Sequence, residues 1–155
     1  MTTIAATAAD IGTGCAGSRS VAAVMSRRVV TVGMDNTLAV VQRIFREHPF
    51  HHLLVLDGDR LAGVISDRDL LKALSPRLGT GAETERDRAT LNKRVHQVMS
   101  HHVVTIGPQA TAAEAARLML GKDVSSLPVV AEDGILAGIL TWKDLLRALL
   151  ADVQP

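Results

Sequence analysis

The feature that most limits what this chain can fold into is its internal repetition. Val21-x-x-Val24-Met25-Ser26, followed by Val29-Val30-Thr31, returns as Val95-x-x-Val98-Met99-Ser100, followed by Val103-Val104-Thr105. Thr37 returns as Thr111, and Gly63-Val64-Ile65-Ser66-Asp67-Arg68-Asp69 returns as Gly138-Ile139-Leu140-Thr141-Trp142-Lys143-Asp144. The two glycines lie one residue further apart than the two openings, which places a single insertion between them. A spacing held over so many positions marks two copies of one supersecondary unit.

The first copy reads β-α-β-β-α. Val29–Val32 is a β-branched strand, and Thr37 stands at the N-cap of a helix with Leu38, Val41, Ile44 and Phe45 on one face. Pro49 forbids its continuation. Leu53–Leu56 and Leu61–Ile65 flank Asp57-Gly58-Asp59-Arg60, a hairpin pattern, and a second helix starts at Ser66 and stops before Pro76. In the second copy Thr111 and Glu114 form a capping-box pattern. Leu127–Val130 and Ile135–Leu140 form the hairpin there, and Leu145, Leu146, Leu149 and Leu150 lie on the last helix. The predicted boundaries are a mobile tail over 1–17, a first unit over 18–77, a charged connector over 78–93 and a second unit over 94–155. The connector is expected to be helical in its second half.

Either copy alone is too short to bury two apolar helices and three strands. Docking of the copies about a pseudo-two-fold axis into one α/β (α+β) body is therefore expected, with two equivalent clefts.

Composition narrows the function. The net charge of +1 gives no footprint for a polyanion, and the only aromatic residues are Phe45, Phe50 and Trp142. Both facts disfavour nucleic acid as a partner. Cys15 is the only cysteine, which fits a reducing compartment. No apolar run nears the roughly 20 residues of a membrane span, and the N-terminus lacks a secretory pattern. A cytoplasmic protein with no membrane partner is expected. Gly12-Thr13-Gly14-Cys15-Ala16-Gly17 satisfies G-x-G-x-x-G, but Ala and Thr precede it and little room for a helix follows. No nucleophile–base arrangement stands out. Adjacent His51-His52 and His101-His102 cannot aim both rings at one ion from a strand. Neither a catalytic nor a metal site is expected.

The tandem units, the Val-Met-Ser…Val-Thr openings and the two Gly-to-Asp endings resemble a CBS-domain pair, or Bateman module. The overall size is similar to short bacterial stand-alone pairs of the acetoin-utilisation type. The resemblance implies regulation rather than catalysis, no required cofactor, and binding of AMP, ADP, ATP or S-adenosylmethionine. It implies a homodimer and a regulated protein partner that the sequence does not name. It also implies that the hydroxyl and aspartate of one unit hold a ribose while strands of the other unit meet base and phosphates. Carried over by position, one cleft combines Thr141 and Asp144 with Val30, Thr31, His51, His52 and Leu53. The other combines Ser66 and Asp69 with Val104, Thr105, Ser125, Ser126 and Leu127. Leu54 stands where the second copy has Pro128, so the clefts need not be equal.

Two readings of Ser66-x-x-Asp69 and Thr141-x-x-Asp144 coexist. A hydroxyl three residues before a carboxylate at a strand-to-helix junction is a capping box. A carboxylate is also an acceptor-only group that takes bonds from both hydroxyls of a ribose. Arg27-Arg28 and His51-His52 are phosphate candidates beside Asp144, with Arg28 and His52 foremost; His101-His102 and Lys122 serve the other cleft, with His102 foremost. The more highly charged ligand is expected at Asp144. The alternatives are a structural dimerisation protein with empty clefts and a DNA-binding pair, the latter disfavoured by the charge.

Overall fold

The computed structural model describes residues 2–4 and 16–151. In chain order the elements are β1 (Thr2–Ile4), α1 (Val21–Val24), β2 (Thr31–Gly33), α2 (Leu38–Glu47), β3 (His52–Asp57), β4 (Arg60–Ser66), α3 (Asp67–Ala73) and α4 (Glu85–Ala89). They continue as β5 (Val104–Ile106), α5 (Ala112–Lys122), β6 (Ser126–Val130), β7 (Leu136–Thr141) and α6 (Trp142–Ala151). The chain forms two compact units, one of residues 30–102 and one of residues 1–29 with 103–155.

In the 30–102 unit, β2 runs parallel to β3 and β3 antiparallel to β4. The β3–β4 turn places Asp57 opposite Arg60 and leaves Gly58 and Asp59 between them, with Gly58 at a φ of 60° that glycine adopts freely. The core gathers Val32, Leu38, Val41, Leu53, Val55, Ile65 and Leu70 with Val95 and Met99. In the other unit, β5 pairs parallel with β6 and β6 antiparallel with β7, over a core of Ile106, Ala115, Met119, Leu127, Val129 and Leu140 with Val21.

The compact units therefore differ from the 18–77 and 94–155 blocks read from the sequence. Val95 and Met99, which open the second copy, are core residues beside β3 and β4 of the first. Val21, which opens the first copy, is a core residue of the unit built from the second. The glycines explain the seat of each opening segment. Val64 and Ser100 exchange backbone hydrogen bonds of 2.9 and 2.8 Å, as Ile139 and Ser26 do at 2.9 Å each. A Cβ on Gly63 would stand 2.6 Å from the Ser100 carbonyl oxygen, and one on Gly138 would stand 2.6 Å from that of Ser26. Only glycine lets the opening segment lie that close to its hairpin.

Thr2–Ile4, read as part of a mobile tail, is a strand paired in parallel with β5. The rest of that tail through residue 15, including Cys15 and most of the glycine motif, lies outside the described residues. Thr37 occupies the N-cap position of α2 but makes no side-chain cap bond, whereas Thr111 and Glu114 close the expected box on α5. The connector does more than carry charge. Thr84 and Asp87 box the start of α4, and Ser75 Oγ donates to Asp87 Oδ1 at 2.6 Å. Those hydrogen bonds, first from Ser75 and then from Thr84, hold the Asp87 carboxyl down at about 2.

Candidate functional site

Each hydroxyl-x-x-Asp corner forms where the last strand of a hairpin hands over to a helix. At the first, the Ser66 N–H and Oγ–H both donate to Asp69 Oδ2, at 3.0 and 2.6 Å, and the Asp69 N–H donates back to Ser66 Oγ at 3.1 Å. At the second, the Thr141 N–H and Oγ1–H donate to Asp144 Oδ2 at 2.9 and 2.6 Å, and the Asp144 N–H returns a bond of 3.4 Å. Both corners are thus capping boxes. In each, one carboxylate oxygen takes two donors and is turned toward its own cap.

The other oxygen separates the corners. Asp144 Oδ1 accepts from Arg147 Nη1 at 3.2 Å. Among the described residues no donor reaches Asp69 Oδ1. Arg147 sits one helical turn beyond Asp144, and the matching position after Asp69 is Lys72.

Each corner also has strand neighbours within its own unit. His52 lies directly across from Ser66 in the β3–β4 ladder, and the Asp67 N–H donates to the His51 carbonyl at 3.0 Å. His51 Nδ1 lies 2.9 Å from Asp67 Oδ2, a hydrogen bond that lowers the Asp67 pKa. In the other unit Ser126 lies across from Thr141, and the Trp142 N–H donates to the Ser125 carbonyl at 3.2 Å. Val30, Thr31, His51, His52, Leu53 and His102 are therefore in one unit with Ser66 and Asp69. Arg28, Val104, Thr105, Ser125, Ser126 and Leu127 are in one unit with Thr141 and Asp144.

The residues differ in what they expose. His51, His52, Arg28, His102 and Ser125 are exposed, while Val104, Thr31 and Ser126 are half-buried. Leu53 and Leu127 are core side chains, so only their backbone is available to a ligand. Thr105 is fully buried, and its Oγ1 has no hydrogen-bond partner among the described residues. The strand ladders of the two units differ as well. Leu54 pairs with Thr31 in the β2–β3 ladder, whereas the β5–β6 ladder pairs only Ile106 with Val129. A proline at the matching position has no N–H to donate.

Beside Asp69 the 30–102 unit carries an open cleft of about 460 Å³, lined by Asp69, Lys72, Ala73, Lys93, Gln97 and Val98. Lys93 Nζ donates to the Ala73 carbonyl at 2.7 Å, which holds the ammonium at the rim. Gln97 Oε1 accepts from the Arg94 N–H at 2.8 Å, which leaves its amide N–H groups as donors. Lys72, Lys93 and Gln97 were not singled out in the sequence. The available signal was the spacing of Asp69, Lys72 and Ala73, which puts all three on one helix face.

The CBS domain family model matches residues 21–76 and 95–151. A CBS domain-containing protein of Dictyostelium discoideum is 37% identical over 133 residues, covering 84% of this chain and 91% of that protein. Among solved structures, an acetoin utilization protein (AcuB) from Vibrio cholerae superposes with a TM-score of 0.72 at 26% identity, covering 89% of this chain and 99% of that one. CBSX2, solved in complex with AMP, superposes with a TM-score of 0.71 at 29% identity, covering 87% of this chain and 98% of that one. With both copies matched by the same family model, this chain belongs to the CBS-domain family as a tandem pair.

Proposed function

We propose that this chain is a regulatory module that senses an adenine nucleotide (AMP, ADP or ATP) or S-adenosylmethionine, and not an enzyme. The observation that carries the reading is the duplicated hydroxyl-x-x-Asp corner, each aspartate held rigidly by its own cap on a helix start. The AMP complex of CBSX2 supports the ligand class. The ribose hydroxyls donate to the corner aspartate, and exposed His52, Arg28 and His102 are the foremost side chains for phosphate. The ligand acts by its differential affinity for two states of the module, which changes the activity of a protein partner. A cytoplasmic homodimer is the proposed working form.

Calorimetric titration of AMP, ADP, ATP and S-adenosylmethionine into wild type, Asp69→Ala and Asp144→Ala tests the reading. A lost charge-assisted bond weakens binding roughly ten- to hundredfold. Micromolar binding untouched by both substitutions removes the assigned corners; no binding to any of the four removes the ligand class.

One observation favours a second reading, an association protein with empty clefts. Trp142, Leu146 and Leu149 recur on α6 at helical spacing and are 49%, 47% and 52% exposed, with Leu150 beside them at 69%. A dimer by light scattering whose melting temperature no nucleotide shifts favours that reading.

A further inference from the structure

The geometry points to the cleft beside Asp69 as the primary site for a phosphate-bearing ribose ligand, with Lys72 and Lys93 as its phosphate contacts and Arg147 weakening the matching Asp144 corner. This rests on the reading of the corners as ribose acceptors and goes beyond it, by naming phosphate contacts that the sequence did not suggest and by ranking the corners.

The cleft offers complementary chemistry within one unit. Asp69 Oδ1 faces no donor among the described residues and accepts hydroxyls. Lys72, on the same helix face, makes no bond to a described residue. Lys93 keeps two of its three ammonium protons after bonding Ala73. Gln97 adds neutral donors, and Val98 with Ala73 supplies an apolar wall. The volume of about 460 Å³ lies in the range of small-ligand sites.

At Asp144 the same two groups cancel each other. Arg147 stands where Lys72 stands, but its guanidinium is bonded to Asp144 Oδ1. One contact thus takes one lone pair of the acceptor a ribose would use and turns the cation toward the carboxylate and away from a phosphate. The Arg147 side chain is 75% exposed, so the pair is a surface ion pair. Releasing it lowers affinity only about fivefold or less. A phosphate contact forgone by Arg147 adds about tenfold per charge-assisted bond. The ranking expected at the outset, with the more charged ligand at Asp144, is therefore reversed.

The test is titration with AMP, ribose 5-phosphate, adenosine and pyrophosphate, followed by NMR at the amides of Asp69, Lys72 and Gln97 and at those of Asp144 and Arg147. AMP is expected to shift the Asp69 set first, about tenfold or more ahead of the Asp144 set. Lys72→Met is expected to weaken AMP and ribose 5-phosphate about tenfold and to leave adenosine within about twofold. Lys72 is exposed, so this variant is expected to fold, and its spectrum checks that. Arg147→Ala is expected to strengthen binding at the Asp144 set by up to about fivefold. The proposal is overturned if the Asp144 set fills first, or if Lys72→Met leaves AMP unchanged. AMP and adenosine binding equally well at Asp69 overturns it while leaving the nucleotide reading in place. Ribose 5-phosphate and pyrophosphate binding through Lys72, with no gain from adenine, upholds the phosphate cleft and removes the adenine reading. No shift from any probe removes both.

Discussion

The Asp69 and Asp144 corners solve the same backbone problem and differ in one side chain. Both use a hydroxyl to seat the first turn of a helix, and both direct Oδ2 of the aspartate into that cap. The difference is Lys72 against Arg147. With a lysine at that position, Asp69 Oδ1 takes no donor among the described residues and Asp69 lines the cleft, whereas the longer, forked guanidinium reaches back to Oδ1 of Asp144. The lesson is that a repeated motif fixes a repeated backbone, while its chemistry is set by residues a turn away.

If the backbone solution is shared, damage to it should be symmetric. Gly63→Ala and Gly138→Ala each force a Cβ to 2.6 Å from a carbonyl oxygen. Each is expected to cost about 1–3 kcal/mol, read by denaturant unfolding. A tolerated alanine at one position alone would break the equivalence of the two hairpins.

Cap removal probes the corners themselves. Ser66→Ala and Thr141→Ala are each expected to cost about 0.5–2 kcal/mol. Comparable losses by thermal unfolding support the shared cap; a much smaller loss at Thr141 would show that Arg147 holds Asp144 in place without it.

Helices α2 and α5, which follow β2 and β5, end differently. Asp123 closes α5 in the left-handed region at a φ of 52°, while His48 closes α2 in an extended conformation. Asp123→Gly is expected to stabilise the chain by up to about 1 kcal/mol, seen as a raised melting temperature. A loss of stability there would mean that the Asp123 side chain contributes something the backbone conformation does not reveal.

The smallest expected effect separates the units by acidity. Asp87 anchors the connector of the 30–102 unit with a pKa of about 2, lowered from 3.8 by bonds from Ser75 and Thr84. A depressed carboxyl stabilises the fold above its unfolded pKa and loses that contribution as pH falls through the folded one. The connector contacts should therefore weaken between about pH 4 and pH 2. NMR titration should show the Thr84 amide following Asp87, and Asp87→Asn should abolish the transition.

Much of this was legible in the sequence because it is local. The hairpins followed from paired apolar runs, the first of them around Asp57-Gly58, and the caps at Ser66, Thr111 and Thr141 followed from hydroxyl-x-x-acid spacing. Thr37 lacked the acid three residues on, and its side chain makes no cap bond. What the sequence hid was partner choice. Val21-x-x-Val24-Met25-Ser26 and Val95-x-x-Val98-Met99-Ser100 are so alike that periodicity cannot say which hairpin each one covers. The Arg147–Asp144 bond and the cleft beside Asp69 were hidden for another reason, since both depend on where long side chains reach.

The exchange of opening segments has a consequence for how the chain assembles as it is made. The 30–102 unit is continuous, so every residue it needs emerges in one stretch. Val21 and Met25, made earlier, have no Ile139 or Leu140 to pack on until β7 exists. Their unit closes a loop as long as the other unit, and closing such loops slows folding more than it weakens the folded state. The early segment waits with its apolar face open, a point at which a chain of two similarly patterned halves can pair with the wrong hairpin.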